Sequence, residues 1–198
     1  MDTRGVEFSD MPPLTQTKAA PAVHKPAETF TSGAKTLPRR FFVSPEIFGK
    51  EQEAIFSTQW VLVGHQSQIA KAGDYFTSEV AGPPSQRFGA AGESLIVVRD
   101  QKATIRGFYN VCRHRGTRLC EDQTGHSSAL QCPYHAWTYA LDGRLVGVPH
   151  MESVPGFDKA KYSLHTVNLA LWEGFIFANL AKKPTPLEEV FAPSAGKF

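Results

Sequence analysis

The sequence predicts a mainly β domain of packed antiparallel sheets with one N-terminal helix. Three observations carry this reading. Short runs of β-branched and aromatic residues recur through the chain, each bounded by Gly, Pro or charged residues. Asp142-Gly143 is a two-residue turn of the kind that joins hairpin strands. Ser44-Pro45-Glu46 has the signature of a helix start.

Residues 1–38 hold Pro12, Pro13, Pro21, Pro26 and Pro38 among Thr, Ala and Lys, without an apolar period. They are expected to form a disordered or loosely packed arm. The ordered body is placed at 39–181. Ser44 can cap a helix, Pro45 suits its first position, and Glu46 lies near the positive end of its dipole. Ile47, Phe48, Ile55 and Phe56 recur seven residues apart, which predicts one buried face on a helix ending near Thr58. Strands are expected at Trp60–Gly64, Asp74–Val80, Ser94–Arg99, Thr104–Tyr109, Ser163–Leu171 and Phe175–Asn179. A hairpin is expected from Thr138 to Leu145. Short strands with tight turns call for antiparallel sheets packed face to face. Residues 182–198 contain Pro184, Pro186 and Pro193 and read as the start of a linker to a further domain.

Composition narrows the function. A formal charge of +2, with no basic run interleaved with aromatics, argues against a nucleic-acid partner. No apolar run is long enough for a membrane span, and Met1-Asp2-Thr3-Arg4 opens no secretory leader. Arg39-Arg40 is followed by a charged, helix-like stretch, which does not suit a twin-arginine signal. The expected location is the cytoplasm. Three cysteines without an export signal point to metal or redox use rather than a disulfide framework.

The chemistry concentrates in two short stretches. Cys112-Arg113-His114 and Cys132-Pro133-Tyr134-His135 each offer one thiolate and one imidazole, with seventeen residues between His114 and Cys132. This matches the Rieske arrangement, in which two His replace two Cys on one iron of a 2Fe–2S cluster. Zinc competes, because Cys₂His₂ is also a zinc set, and unrelated buried Cys and His are the ordinary structural reading. Zinc fingers pair Cys with Cys and His with His, whereas each stretch here mixes the two. Two ferric ions, two sulfides and two thiolates sum to zero charge, so a cluster held this way accepts an electron readily. Its imidazoles then gain proton affinity, which couples reduction to protonation at His114 and His135.

From Asn110 to Met151, NVCRHRGTRLC…LQCPYHAWTYALDGRLVGVPHM closely resembles the α (oxygenase) subunits of Rieske non-haem iron ring-hydroxylating oxygenases. It looks most like the branch containing glycine betaine and related quaternary-amine demethylases. The resemblance runs back through Pro45-Glu46-Ile47-Phe48 to Trp60 and forward through Trp172-Glu173-Gly174-Phe175 to Asn179-Leu180. It implies a Rieske-type fold, with Cys112, His114, Cys132 and His135 as the cluster ligands. It implies single-electron relay from an NAD(P)H-dependent reductase or ferredoxin to a mononuclear Fe(II). That iron is held by two His and a carboxylate in a second domain, which this chain is expected to lack. Neighbouring oxygenase subunits, typically in a homotrimer, are the other implied partners. A stand-alone Rieske electron carrier and a zinc-stabilised binding module are the alternatives.

Respiratory Rieske proteins carry a further Cys in each loop. The matching positions here are Thr117 and Tyr134, so no bracing disulfide is expected and the potential should lie low in the Rieske range. Cys120 reads as a buried small hydrophobe. Gly82 to Gly92 adds about ten residues to a hairpin that is shorter in relatives, and a surface loop absorbs such an addition cheaply. Arg113, Arg115 and Arg118 make a basic rim, either stabilising the reduced cluster or forming ordinary ion pairs. Gly116 is expected to let backbone amides approach the sulfides. By the resemblance, Tyr134 and Trp137 pack around the cluster, with Tyr134 hydrogen-bonding a ligand sulfur, and ordinary core aromatics are the alternative. His150 and His165 read as structural histidines, and His126 as exposed.

Overall fold

The computed structural model describes residues 33, 35–80, 92–151 and 154–194. The arm expected over 1–38 and the added loop at 82–92 therefore lie almost wholly outside the described residues. One compact unit spans Pro38–Pro193.

Two short helices open it, α1 (Arg40–Val43) and α2 (Pro45–Glu51). Ser44 Oγ accepts from the Ile47 amide at 3.4 Å, and Pro45 takes the first helical position, as the sequence predicts. The buried apolar face is not found. Phe48 and Ile55 are each 47% exposed, and Gln52 is the residue that is buried. The chain widens into a π turn over Gln52–Phe56, closed by Ser57 N–H donating to Gln52 O at 3.0 Å. The wider turn shifts the register, so side chains seven residues apart no longer share a face.

Among the described residues ten strands follow, β1 (Val61–His65), β2 (Asp74–Val80), β3 (Glu93–Arg99), β4 (Ile105–Tyr109), β5 (Thr124–His126), β6 (Ala129–Gln131), β7 (Thr138–Ala140), β8 (Leu145–Gly147), β9 (Thr166–Trp172) and β10 (Phe175–Asn179). Seven form one antiparallel sheet in the order β1-β10-β9-β4-β3-β2-β5, and β6-β7-β8 form a second. The Asp142-Gly143 turn joins β7 to β8, with Gly143 N–H donating to Ala140 O at 2.8 Å. The 182–198 stretch includes a helix, α3 (Leu187–Phe191), whose Leu187 is buried. Trp60 Nε1 donates to Thr185 O at 2.8 Å and Asn179 Nδ2 to Thr58 O at 2.9 Å, tying both ends of the body together.

The main core lies between the sheets. Ile96, Val98 and Phe108 of the larger sheet meet Leu130, Tyr139 and Leu145 of the smaller one. Burying such side chains contributes roughly 1.5–3 kcal/mol each. Cys112 and Cys132 belong to the same core, at the end where the first loop leaves β4 and the β6–β7 hairpin turns.

The β3–β4 turn is fixed by a buried carboxylate. Asp100 accepts from the amides of Lys102 (2.8 Å) and Thr104 (2.9 Å) and from Arg106 Nε (2.6 Å). Burial alone would raise this carboxyl; Arg106 and the two amides outweigh burial and hold it below the usual carboxylate range. A depressed folded-state pKa adds stability that is present above the unfolded value near 4 and lost as pH falls through the folded value. Asp100→Asn should therefore cost about 2–3 kcal/mol in urea unfolding at pH 7. The difference from wild type should shrink below about pH 4. A constant difference down to pH 2 would contradict this role.

Candidate metal centre

The two loops close on themselves in the same way. Cys112 N–H donates to Thr117 O at 2.7 Å, and Gly116 N–H donates back to Cys112 O at 2.9 Å. In the second loop Cys132 N–H donates to Trp137 O at 2.8 Å, and Ala136 N–H donates to Cys132 O at 3.0 Å. The residue four after each Cys adopts a positive φ, 77° at Gly116 and 55° at Ala136. A Cβ at Gly116 would meet nothing nearer than Val111 Cγ2 at 3.9 Å. The glycine thus serves the left-handed turn, and its own amide donates to Cys112 O.

The loops bring the predicted donors together in pairs. The Cys112 and Cys132 thiols are both buried, and Cys132 lies close enough to help push the Cys112 thiol up. The His114 and His135 rings have centroids 4.7 Å apart. Among the described residues no three His, Cys, Asp or Glu side chains meet at one point, as a mononuclear cage requires. Two pairs are what a binuclear group needs, one pair for each iron. His114 Nδ1 is buried with no hydrogen-bond partner, an orphan that costs free energy unless something binds it. Burial, then the His135 ring and the Arg115 guanidinium, hold His114 below the ordinary imidazole value, favouring the neutral form a metal requires. Burial pushes the Cys112 thiol up, opposed by the Tyr139 hydroxyl and the His114 amide. Metal binding removes that thiol proton.

The flanking residues divide. Trp137 is buried and stacks on His114, with centroids 4.8 Å apart and planes 11° apart, and meets Phe157 and Tyr162 edge-on. Tyr134 is 59% exposed and leans over His135, with centroids 3.7 Å apart. The hydroxyl that reaches a candidate ligand sulfur is that of Tyr139, 3.3 Å from Cys112 Sγ, and among the described residues Tyr134 makes no such hydrogen bond. Tyr139 oxygen also accepts from Arg113 N–H at 3.0 Å, and its own proton is free to point at a thiolate there. Trp137, Tyr139 and Leu141 are all buried, and their alternate spacing was the signal for Tyr139.

Asn110 was also missed. It is buried, its Oδ1 accepts from Leu119 N–H (3.0 Å) and Cys120 N–H (2.9 Å), and its Nδ2 donates to Cys120 O at 2.7 Å. One side chain therefore clamps both ends of the first loop. Arg118 pairs with Glu79 at 3.0 Å and Arg115 is exposed. Cys120 is buried in the same core, its thiol raised by burial to about 11. All three cysteines are unbridged, as Thr117 and Tyr134 imply. His126, expected to be merely exposed, pairs with Asp74 at 2.8 Å. His150 is exposed, and His165 contacts Arg113.

The twin turns predict opposite effects. Gly116→Ala should destabilise by about 1 kcal/mol through the positive φ, and Ala136→Gly should gain up to about 1 kcal/mol at the matching position. Urea midpoints of the two variants decide this, and a loss at both positions would contradict the shared geometry.

The Rieske [2Fe-2S] domain family matches residues 59–158, which contain both loops. The carnitine monooxygenase oxygenase subunit of Escherichia coli K12 is 37% identical over 156 residues, covering 79% of this chain and 39% of that protein. The benzene 1,2-dioxygenase α subunit of Pseudomonas putida is 35% identical over 151 residues, covering 76% and 31%. The apo crystal structure of a quaternary ammonium Rieske monooxygenase superposes with a TM-score of 0.72 at 34% identity, covering 82% of this chain and 44% of that one. The naphthalene 1,2-dioxygenase of Rhodococcus sp. gives 0.69 at 35% identity, covering 77% and 33%. The chain thus spans less than half the length of these relatives. Shared cluster loops, mainly β architecture and oxygenase relatives agree: the chain belongs to the Rieske 2Fe–2S domain family, in the form found in oxygenase α subunits.

Proposed function

We propose that Cys112 and Cys132 hold one iron, and His114 and His135 the other, of a Rieske cluster that relays electrons to an oxygenase iron. The orphaned His114 Nδ1, with the His114 ring against that of His135 and the Cys132 thiol close to that of Cys112, carries this reading. When bound, the cluster supplies one-electron transfer without making or breaking substrate bonds.

The chain's own residues divide the work. Cys112 and Cys132 sit in the dry core, where thiolate charge is neutralised by metal and not by water. Tyr139 donates to the Cys112 sulfur and withdraws charge from it, favouring the reduced state. Trp137 fixes the plane of His114. His135, Pro133 and Tyr134 are exposed, which gives electrons a short route to a docked partner. The exposed Arg115 beside them suits an acidic surface on an NAD(P)H-dependent reductase or ferredoxin.

The recipient is proposed to be the mononuclear Fe(II) of an N-demethylating or ring-hydroxylating oxygenase, held by neighbouring subunits in a homotrimer. The names of the relatives, carnitine and glycine betaine monooxygenases and benzene dioxygenase, support that range. Among the described residues no helix is long and apolar enough to cross a membrane.

Anaerobic reconstitution with iron and sulfide tests the ligand set. Wild type should bind two irons per chain and show visible charge-transfer absorption. Cys112→Ser and His135→Ala should each lose both iron and colour, while Cys120→Ser should keep them. Normal iron content in either of the first two variants would mean the ligands are assigned wrongly. A colourless wild type carrying one zinc would support a zinc-stabilised module instead.

A further inference from the structure

Arg113 is the residue between the two donors of the first loop, and its side chain is anchored from outside that loop. Its amide is held by the Tyr139 hydroxyl, and its Nη1 meets Nε2 of His165, which lies 52 residues away in sequence. His165 immediately precedes β9, and its carbonyl accepts from Tyr109 N–H at 3.0 Å. The adjoining residues pair β4 to β9, with Gly107 opposite Val167 and Phe108 opposite Thr166. The anchor therefore stands on the rigid sheet and not on the loop.

Chemistry fixes the state of this contact. A guanidinium only donates, so His165 Nε2 must present its lone pair, leaving a neutral ring protonated at Nδ1. Burial and the Arg113 charge both depress His165, consistent with that form. The three loop arginines also differ. Arg118 is neutralised by Glu79, and Arg115 is exposed. Arg113 is half-buried, its Nε is buried without a partner, and it has no carboxylate among the described residues. Its charge is therefore screened less than those of the exposed Arg115 and Arg118, although His165 itself is exposed, and its field reaches the adjacent Cys112 and His114.

We propose that His165 is a positioning residue that holds the Arg113 guanidinium beside the Cys112–His114 loop, and so raises the affinity of the site for an electron. This rests on the cluster reading above. Reduction adds one negative charge to the site, and a held cation stabilises that charge. Without His165 the side chain is free to swing into water, where its effect is screened.

Redox titration of the reconstituted 198-residue protein, followed by the visible spectrum, tests this. His165→Ala and Arg113→Gln should each weaken reduction about tenfold, a shift of about 60 mV to lower potential for one electron. His165→Gln should retain most of the wild-type potential, because its amide oxygen also accepts from a guanidinium. The double variant Arg113→Gln/His165→Ala should titrate with Arg113→Gln alone, since His165 would have nothing left to hold. Should His165→Ala bind iron poorly, His165→Phe keeps the ring volume without the acceptor and should show the same shift. An unchanged potential in the His165 variants, or a double variant whose shifts add, would overturn the proposal. A wild type with no titrating signal would overturn the cluster reading itself, and the proposal with it.

Discussion

Everything at this site depends on two loops that close by the same pair of backbone hydrogen bonds. In each, the Cys amide reaches a carbonyl five residues on, and the amide four residues on returns to the Cys carbonyl. That closure satisfies backbone groups that would otherwise be orphaned beside a dry core. It also fixes where each thiol points before any metal arrives. The loops differ in the position of the histidine, two residues after Cys112 but three after Cys132. Identical frames with offset histidines let two rings meet at 4.7 Å while both thiols stay in the core.

Supports outside the loops make this frame rigid. Asn110 locks the first loop at its base, and Tyr139 ties its tip to the smaller sheet. Trp137 carries the constraint to His114 by stacking and to Phe157 and Tyr162 by edge contacts. The result is graded in polarity. Thiols lie at the buried end, His114 is half-buried, and His135 is exposed at the tip. A redox group set into that gradient would be shielded on its sulfur side and reachable on its histidine side, as electron exchange with a docked protein requires.

Much of this was legible in the sequence because it is local. Cys-x-His and Cys-x-x-His are adjacent in the chain, so spacing alone nominated them as donors, and Thr117 and Tyr134 stand where a bracing disulfide would need Cys. Strands such as Asp74–Val80 and Phe175–Asn179 were bounded by strong turn residues and fall where expected. The failures were of another kind. The buried helix face was lost because a π turn at Gln52 broke a periodicity that assumed an unbroken helix. The positive backbone angle that Gly116 shares with Ala136 is announced by no motif spacing. Alternate spacing marks Tyr139 as buried but not its partners in the other loop, and nothing local marks the backbone groups nine and ten residues on that Asn110 holds.

The central claim is that the two imidazoles share one iron while the two thiolates share the other. Pulsed EPR on the dithionite-reduced protein tests it most directly, because nitrogen directly bonded to the reduced iron imprints its own hyperfine coupling. The account predicts a rhombic signal with average g below 2 carrying two distinct strong nitrogen couplings, from His114 and His135. A reduced signal without strong nitrogen coupling, or with only one, would contradict it.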